Sequence, residues 1–290
     1  MLILKIFVVL VAVYFLLTIY LTYLVHQIPR RPIVDTPDWG HVTDARIPAA
    51  GGAFLEVWRV EPDGPSKGII LLAHGWSRNR DRMVFRARIF ACLGFTTVMH
   101  SARDHGKSSP KRMMNAKLFA EDIEAVLNWV DEPVLLYGHS AGSAGAAIAA
   151  SQNPDKIRLL FLEASYADTK ESLQSLYRWV NPIFGRFFAP MVLIWMDAYY
   201  GFKLDTFSPS RLATDIKAPV MLIHGSDDDR FPISFAKRLK DSFRPGQAVL
   251  YIGIGAGHSD SSHTPGYADA VKNFLEKHAY GASLPGDKTA

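Results

Sequence analysis

Hydrophobic and polar positions divide the chain into three textures. From Ile6 to Val25 the chain is uncharged and almost wholly apolar. From about residue 50 onward, short apolar runs alternate with stretches of helical periodicity. Phe54-Leu55-Glu56-Val57-Trp58-Arg59-Val60 alternates in the manner of an antiparallel strand. Gly68 to Ala73 is a continuous apolar run suited to a buried parallel strand, and it ends at His74-Gly75-Trp76. Residues 81–92 read as helix and Thr96 to Met99 as strand. Ala116 to Val130 places Phe119, Ile123, Val126, Leu127 and Val130 on one helical face. A strand over 133–137 and a small-residue helix over about 141–151 follow. Further strands are expected at Ile157–Leu162, Ala218–Ile223 and Val249–Ile252, with a closing helix from Val271 to His278.

Strands separated by helices specify an α/β architecture, a mostly parallel central sheet flanked by helices on both faces. The third texture interrupts that alternation. From about Lys170 to Ile216 the chain is helical and rich in aromatics, among them Trp179, Phe187 and Trp195, with no sheet strand. It reads as a short helical lid inserted between two core strands, over the C-terminal edge of the sheet.

The apolar N-terminal stretch is long enough, as a helix, to cross a bilayer. No small-x-small cleavage pattern follows it; the chain continues His26-Gln27-Ile28-Pro29-Arg30-Arg31. An uncleaved transmembrane helix is therefore the expectation over a signal peptide, with residues 1–28 as a single-pass membrane anchor. Arg30 and Arg31 outweigh Lys5 and slightly favour a cytoplasmic C-terminal domain. Residues 29–46, with Pro29, Pro32 and Pro37, read as a linker. The folded domain is expected over 47–280, with its lid at about 170–216 and a flexible tail at 281–290.

Composition narrows the function. The chain has 290 residues, 49% hydrophobic and 21% charged, with a formal net charge of +4. Its Lys and Arg are dispersed, so nucleic acid is not an expected partner. The single cysteine, Cys92, excludes an intramolecular disulfide and a cysteine-rich zinc site. Its apolar neighbours suggest a buried helix thiol. Nothing in the sequence defines an oligomeric state.

The chemistry lies at the ends of the apolar runs. Gly138-His139-Ser140-Ala141-Gly142 stands between a strand and a small-residue helix, with the serine at the tip of a tight turn. A serine hydroxyl is a poor nucleophile at neutral pH unless an imidazole takes its proton, and that imidazole needs a carboxylate to orient it. Both should come from later strand ends. The loop Gly253 to Gly257 delivers His258 after the last strand, with His263 as the fallback base. His224-Gly225-Ser226-Asp227-Asp228-Asp229 follows the preceding strand, and spacing leaves Asp227, Asp228 and Asp229 equally available. His224 itself reads as a residue that orders the turn. The backbone N–H groups of Ala141, at a helix N-terminus, and Trp76, after the first parallel strand, are the candidate oxyanion donors. The loop Arg103 to Ser108 is expected to be structural, and Asp122 to serve local hydrogen bonding. No metal or cofactor is called for.

Together, His74-Gly75-Trp76, Arg103-Asp104-His105-Gly106-Lys107-Ser108, Gly138-His139-Ser140-Ala141-Gly142, His224-Gly225-Ser226-Asp227-Asp228 and Gly257-His258 resemble, in this order, the α/β-hydrolase fold family. Within it the chain is most similar to the membrane-anchored Bem46-like (YqkD-like) serine hydrolases, through Ser208-Pro209 ahead of Ile216 to Pro219, the short lid, and Tyr267. The family's first Asp in the 101–106 loop is replaced here by Ser101. The resemblance implies Ser140 as nucleophile, Asp228 as acid and His258 as base, its His-Gly-x-x-Asp pattern selecting Asp228. It implies cleavage of carboxylic esters through an acyl-enzyme, and the aromatic lid and the anchor favour lipid-like or acyl esters. The partner is then a small ester or acylated substrate, met at the membrane. A thioesterase or amidase would use the same residues, and an inactive membrane-tethered binding module is the alternative from another class.

Overall fold

Eight strands form one sheet in the order β1-β2-β4-β3-β5-β6-β7-β8 in the computed structural model, which describes residues 1–280. The expected tail at 281–290 lies outside the described residues. Following the N-terminal helix α1 (Leu2–Leu24), β1 (His41–Ala49) and β2 (Ala53–Glu61) make an antiparallel edge, and β2 pairs antiparallel with β4. The remaining pairings are parallel. They link β3 (Ile69–Ala73), β4 (Thr96–His100), β5 (Val134–His139), β6 (Ile157–Glu163), β7 (Val220–Gly225) and β8 (Ala248–Gly253).

The parallel strands read as unbroken apolar runs because both faces of the sheet are covered. Along β3, Leu71 and Ala73 point into one core while Ile70 and Leu72 point into the other. The period of two that sorts them is that of the pleat. On the first face lie α3 (Ala116–Val130), α4 (Ala141–Gln152) and α9 (Ile233–Ser242); on the second lie α2 (Val84–Cys92) and α10 (Tyr267–Leu275). Phe119, Ile123, Val126, Leu127 and Val130 of α3 are all buried, as their spacing requires. The Asn115 side chain caps that helix by accepting from the Leu118 N–H at 3.0 Å.

Between β6 and β7 the chain leaves the sheet for α5 (Thr169–Val180), α6 (Pro182–Phe187), α7 (Ala189–Tyr199) and the single turn α8 (Pro209–Leu212). Tyr177, Ala189, Val192, Leu193 and Met196 make a small core of their own, against which Leu21 and Val25 at the end of α1 pack. Among the described residues, α1 alone is long and apolar enough to cross a membrane, a property it would share with a signal sequence.

The structure departs from the sequence reading at several places. The interval read as linker contains most of β1, a strand whose side chains are nearly all at the surface, so no apolar alternation announced it. Residues 80–83 form a 3-10 turn ahead of α2. The closing helix begins at Tyr267, earlier than its apolar spacing suggested. Cys92 is exposed rather than buried: it ends α2 on the side facing away from Phe90, which is fully buried.

Candidate active site

Ser140 occupies the turn between β5 and α4 with φ 54° and ψ −119°. A side-chain-bearing residue adopts that conformation only under constraint, at about 1–3 kcal/mol. The constraint is close backbone packing. A Cβ on Gly138 would lie 2.4 Å from the Gly142 carbonyl oxygen, and one on Gly142 would lie 2.4 Å from that of His74. Neither position admits a side chain. The Ser140 N–H donates to the Glu163 carbonyl at 2.9 Å, tying the turn to the end of β6.

His258 arrives on the loop after β8 and Asp228 on the loop after β7. His258 Nε2 lies 2.9 Å from Ser140 Oγ, and His258 Nδ1 lies 2.8 Å from Asp228 Oδ2. The other carboxylate oxygen, Oδ1, accepts the N–H groups of Arg230 and Phe231, both at 3.0 Å. Burial alone would raise the Asp228 pKa. The hydrogen bond and charge of His258 outweigh it, helped by the Phe231 N–H and His224, and hold the carboxyl below its ordinary value. Asp227 and Asp229 are exposed, and Asp227 is engaged by the Ser226 hydroxyl. Of three consecutive aspartates, only Asp228 faces an imidazole. His224 orders this turn, its Nε2 donating to the Phe231 carbonyl at 2.7 Å. His263 is elsewhere, exposed and stacked on Phe85 at 4.0 Å between ring centroids.

Trp76 and Ala141 border, with Ser140, a cavity of about 430 Å³. The loop carrying Trp76 runs against the nucleophile turn: a Cβ on Gly75 would sit 3.1 Å from that of Ser140. His74 fixes the peptide between Gly75 and Trp76. Its Nε2 accepts the Ala102 N–H at 3.0 Å, so its proton is on Nδ1, which donates to the Gly75 carbonyl at 2.7 Å. In a trans peptide the N–H points opposite to the carbonyl, so gripping the Gly75 oxygen also sets the direction of the Trp76 N–H. Burial, then the neighbouring His105, hold His74 neutral, well below the ordinary imidazole pKa. His105 acts similarly one residue on, accepting the Ser77 N–H at 3.2 Å and donating to the Arg103 carbonyl at 2.8 Å.

Charge is buried beneath the turn. The Arg86 guanidinium forms a two-pronged pair with the Glu163 carboxylate, and the Tyr137 hydroxyl donates to the same carboxylate at 2.7 Å. Burial would raise the Glu163 pKa, but Arg86 overrides it and draws it down to about 2. His139, pushed down to about 3 by burial, is neutral and donates from Nε2 to the His258 carbonyl at 3.2 Å.

Sequence reasoning had not singled out these supporting roles of His74, His105, His139, Arg86 and Glu163. A signal existed for two of them: His74 and His139 each sit next to a glycine at the end of an apolar run. Arg86 offered none, since a guanidinium in an amphipathic helix reads as surface. The loop at 103–108 is held by Arg103, whose N–H donates to the fully buried Asp122 at 2.7 Å. Among the described residues, no cluster of three or more His, Cys, Asp or Glu side chains could hold a metal ion.

The family described as serine aminopeptidase, S33, matches residues 64–198, a stretch that includes Ser140 and stops before Asp228 and His258. The YqkD protein of Bacillus subtilis is 25% identical over 242 residues, covering 79% of this chain and 78% of its own. Protein bem46 of Schizosaccharomyces pombe is 24% identical, with 72% of this chain and 68% of its own covered. Among solved structures, the Pyrococcus furiosus esterase Pf2001 superimposes with a TM-score of 0.68 at 18% identity, over 87% of this chain and 99% of that one.

Proposed function

We propose that the chain is a serine hydrolase of the α/β-hydrolase superfamily, distantly related to YqkD and Bem46, which cleaves carboxylic esters bearing an apolar acyl group with Ser140, His258 and Asp228 as its triad. The unbroken relay from Ser140 Oγ through the imidazole to Asp228 carries the proposal. Ser140 Oγ attacks the ester carbonyl as His258 Nε2 takes its proton. Asp228 stabilises the imidazolium that forms. The tetrahedral oxygen is met by the N–H groups of Trp76 and Ala141, each worth about 2.7–4 kcal/mol in the transition state. His258 then gives its proton to the leaving alcohol, and water repeats the sequence on the acyl-enzyme.

The cavity supports an acyl group over a peptide. Leu173, Leu176, Met196, Phe207 and Phe231 contribute much of its wall. A peptidase that takes a free amino terminus must balance an ammonium group. Among the described residues no Asp or Glu lines this cavity, whose charged lining residues are Lys117 and Lys203. Esters and thioesters need no such partner.

A fluorophosphonate probe tests the nucleophile. It should label the wild type, fail on Ser140→Ala and react far more slowly with His258→Ala. Absence of labelling on folded wild type would instead favour an inactive binding module. Comparing p-nitrophenyl esters with matched acyl thioesters assigns the bond cleaved.

A further inference from the structure

Helix α1 is built into the lid. The Tyr14 hydroxyl donates to the Phe187 carbonyl at 2.8 Å, Trp195 Nε1 donates to the Thr18 hydroxyl at 3.0 Å, and His26 Nε2 lies 3.0 Å from the Tyr200 hydroxyl. Tyr14, Thr18, Thr22 and His26 recur every fourth residue, one polar stripe on an otherwise apolar helix. Thr18, Thr22 and His26 are buried, while most other α1 side chains are open. The Phe15 ring meets Trp195 edge-on, and the Tyr14 ring stacks on Phe188. These pairings run α7 parallel to α1.

Length turns that contact into a constraint. Lys5 bounds the uncharged part of α1, and the segment from there to the first lid contact, Ile6–Val13, rises about 12 Å. A hydrocarbon core is about 30 Å thick. The missing ~18 Å corresponds to about twelve residues, which are those from Tyr14 to Val25. They are the residues that hold α7. Helix α1 therefore cannot cross a bilayer while the lid stays dry.

We propose that α1 crosses the membrane and that α6 and α7 are sunk beside it into one leaflet, with lipid covering the outer face of the lid. That face is suited to it. Ile183, Phe187 and Ile194 are 66%, 58% and 52% exposed, and α7 carries no charge from Ala189 to Met196. Its first charged residue, Asp197, is paired with Lys170 at 2.7 Å, toward the end of α7 that lies near His26 and the membrane surface. Arg178, whose backbone packs on Gly185, and Arg186 are exposed cations at the deeper corner; the Arg186 guanidinium is 6.0 Å from the Phe187 ring, and long stems let both charges reach toward phosphates. Val25 and His26 also line the cavity that holds Ser140. An acyl chain can thus pass from the leaflet into the cavity where α1 leaves the hydrocarbon. That last step rests on the proposed ester hydrolysis, whereas the immersion does not.

The test uses the full chain, with Cys92→Ser, in nanodiscs of phosphatidylcholine and phosphatidylglycerol. Single cysteines replacing Ile194, Phe187 and the exposed Glu124 of α3 each carry an environment-sensitive fluorophore. At Ile194 and Phe187, lipids spin-labelled on the acyl chain should quench at least fivefold more than at Glu124, and iodide in water correspondingly less. Equal iodide access at all three sites would overturn the proposal, as would recovery from membranes of a chain cleaved after α1. Fluorophosphonate labelling of the same nanodiscs reports Ser140 separately. Water-exposed lid sites in a labelled protein therefore sink the immersion alone, and lipid-quenched sites in an unlabelled protein sink the hydrolase reading alone.

Discussion

His74 should govern turnover without touching substrate. Replacing it by Leu removes both of its hydrogen bonds; replacing it by Asn puts an amide where Nδ1 stands, keeping the bond to the Gly75 carbonyl while the Ala102 N–H is lost in both variants. The two substitutions are therefore matched in the buried donor they orphan, about 1–3 kcal/mol of stability. They differ in the grip on the peptide whose N–H we propose as an oxyanion donor. With that grip gone, the transition state must order one peptide, at about 1–2 kcal/mol. This is roughly a 5- to 30-fold fall in kcat, with full loss of the donor setting a ceiling of about 10²–10³. KM should stay within about twofold, because the ground-state carbonyl does not depend on the donor. Steady-state hydrolysis of a p-nitrophenyl ester and the rate of fluorophosphonate labelling measure the effect, and both should fall together in His74→Leu while His74→Asn stays within about threefold of wild type. Equal losses in the two variants, at matched melting temperatures, would refute a positioning role.

Three further outcomes follow from the same geometry. Glu163→Gln leaves the fully buried Arg86 without a counter-charge and should cost about 3–5 kcal/mol, a fall of roughly 6–20 °C in Tm for a domain of this size. Adding Arg86→Met should recover most of that loss, and a double variant no better than the single would show that packing rather than charge was lost. Because the Glu163 pKa is depressed to about 2 from an ordinary value near 4.5, its contribution is complete above about pH 4.5 and drains away as pH falls toward 2. Stability measured across that window should therefore slope more in wild type than in the Arg86→Met/Glu163→Gln protein. Ser140→Gly should be more stable than Ser140→Ala by about 1 kcal/mol, since glycine adopts φ 54° and ψ −119° without strain, net of its greater unfolded-state entropy; equal denaturation midpoints would mean the turn is unstrained. Each methylene added to the acyl chain should raise kcat/KM about fourfold until the cavity is filled, from about 0.8 kcal/mol of burial per group, and a flat series would place the chain outside the cavity.

What could be read from the sequence followed from how local each feature is. Strands and helices of the sheet are written in runs of five to fifteen residues, and α3 spans the residues its spacing indicated, Ala116–Val130. Ser140, His258 and the aspartate triplet could be located because such groups cluster at strand ends, and the structure turns one of the three aspartates inward. β1 escaped notice because an exposed edge strand has no apolar alternation to show. Arg86 and Glu163 are far apart in sequence, and neither stretch says that the other will be its partner. The contact between α1 and the lid was illegible for the same reason, although Thr18 and Thr22, buried on an apolar helix, are its trace.

The strained Ser140 turn and the buried ion pair belong to one arrangement. The Ser140 conformation is held by the packing at Gly138 and Gly142 and by its own N–H, which donates to the main-chain oxygen of Glu163. The side chain of that residue is locked from below by Arg86 and the Tyr137 hydroxyl, and Tyr137 comes from the strand that ends in the nucleophile turn. A hydrophobic pair would fill the same volume at lower cost in desolvation, yet it would leave the end of β6 free to shift by the fraction of an ångström that relaxes the turn. The proposed proton relay relies on that rigidity, whereas Leu173, Leu176 and Met196 of the lid would meet the proposed acyl chain through apolar contacts, which fix no single chain length.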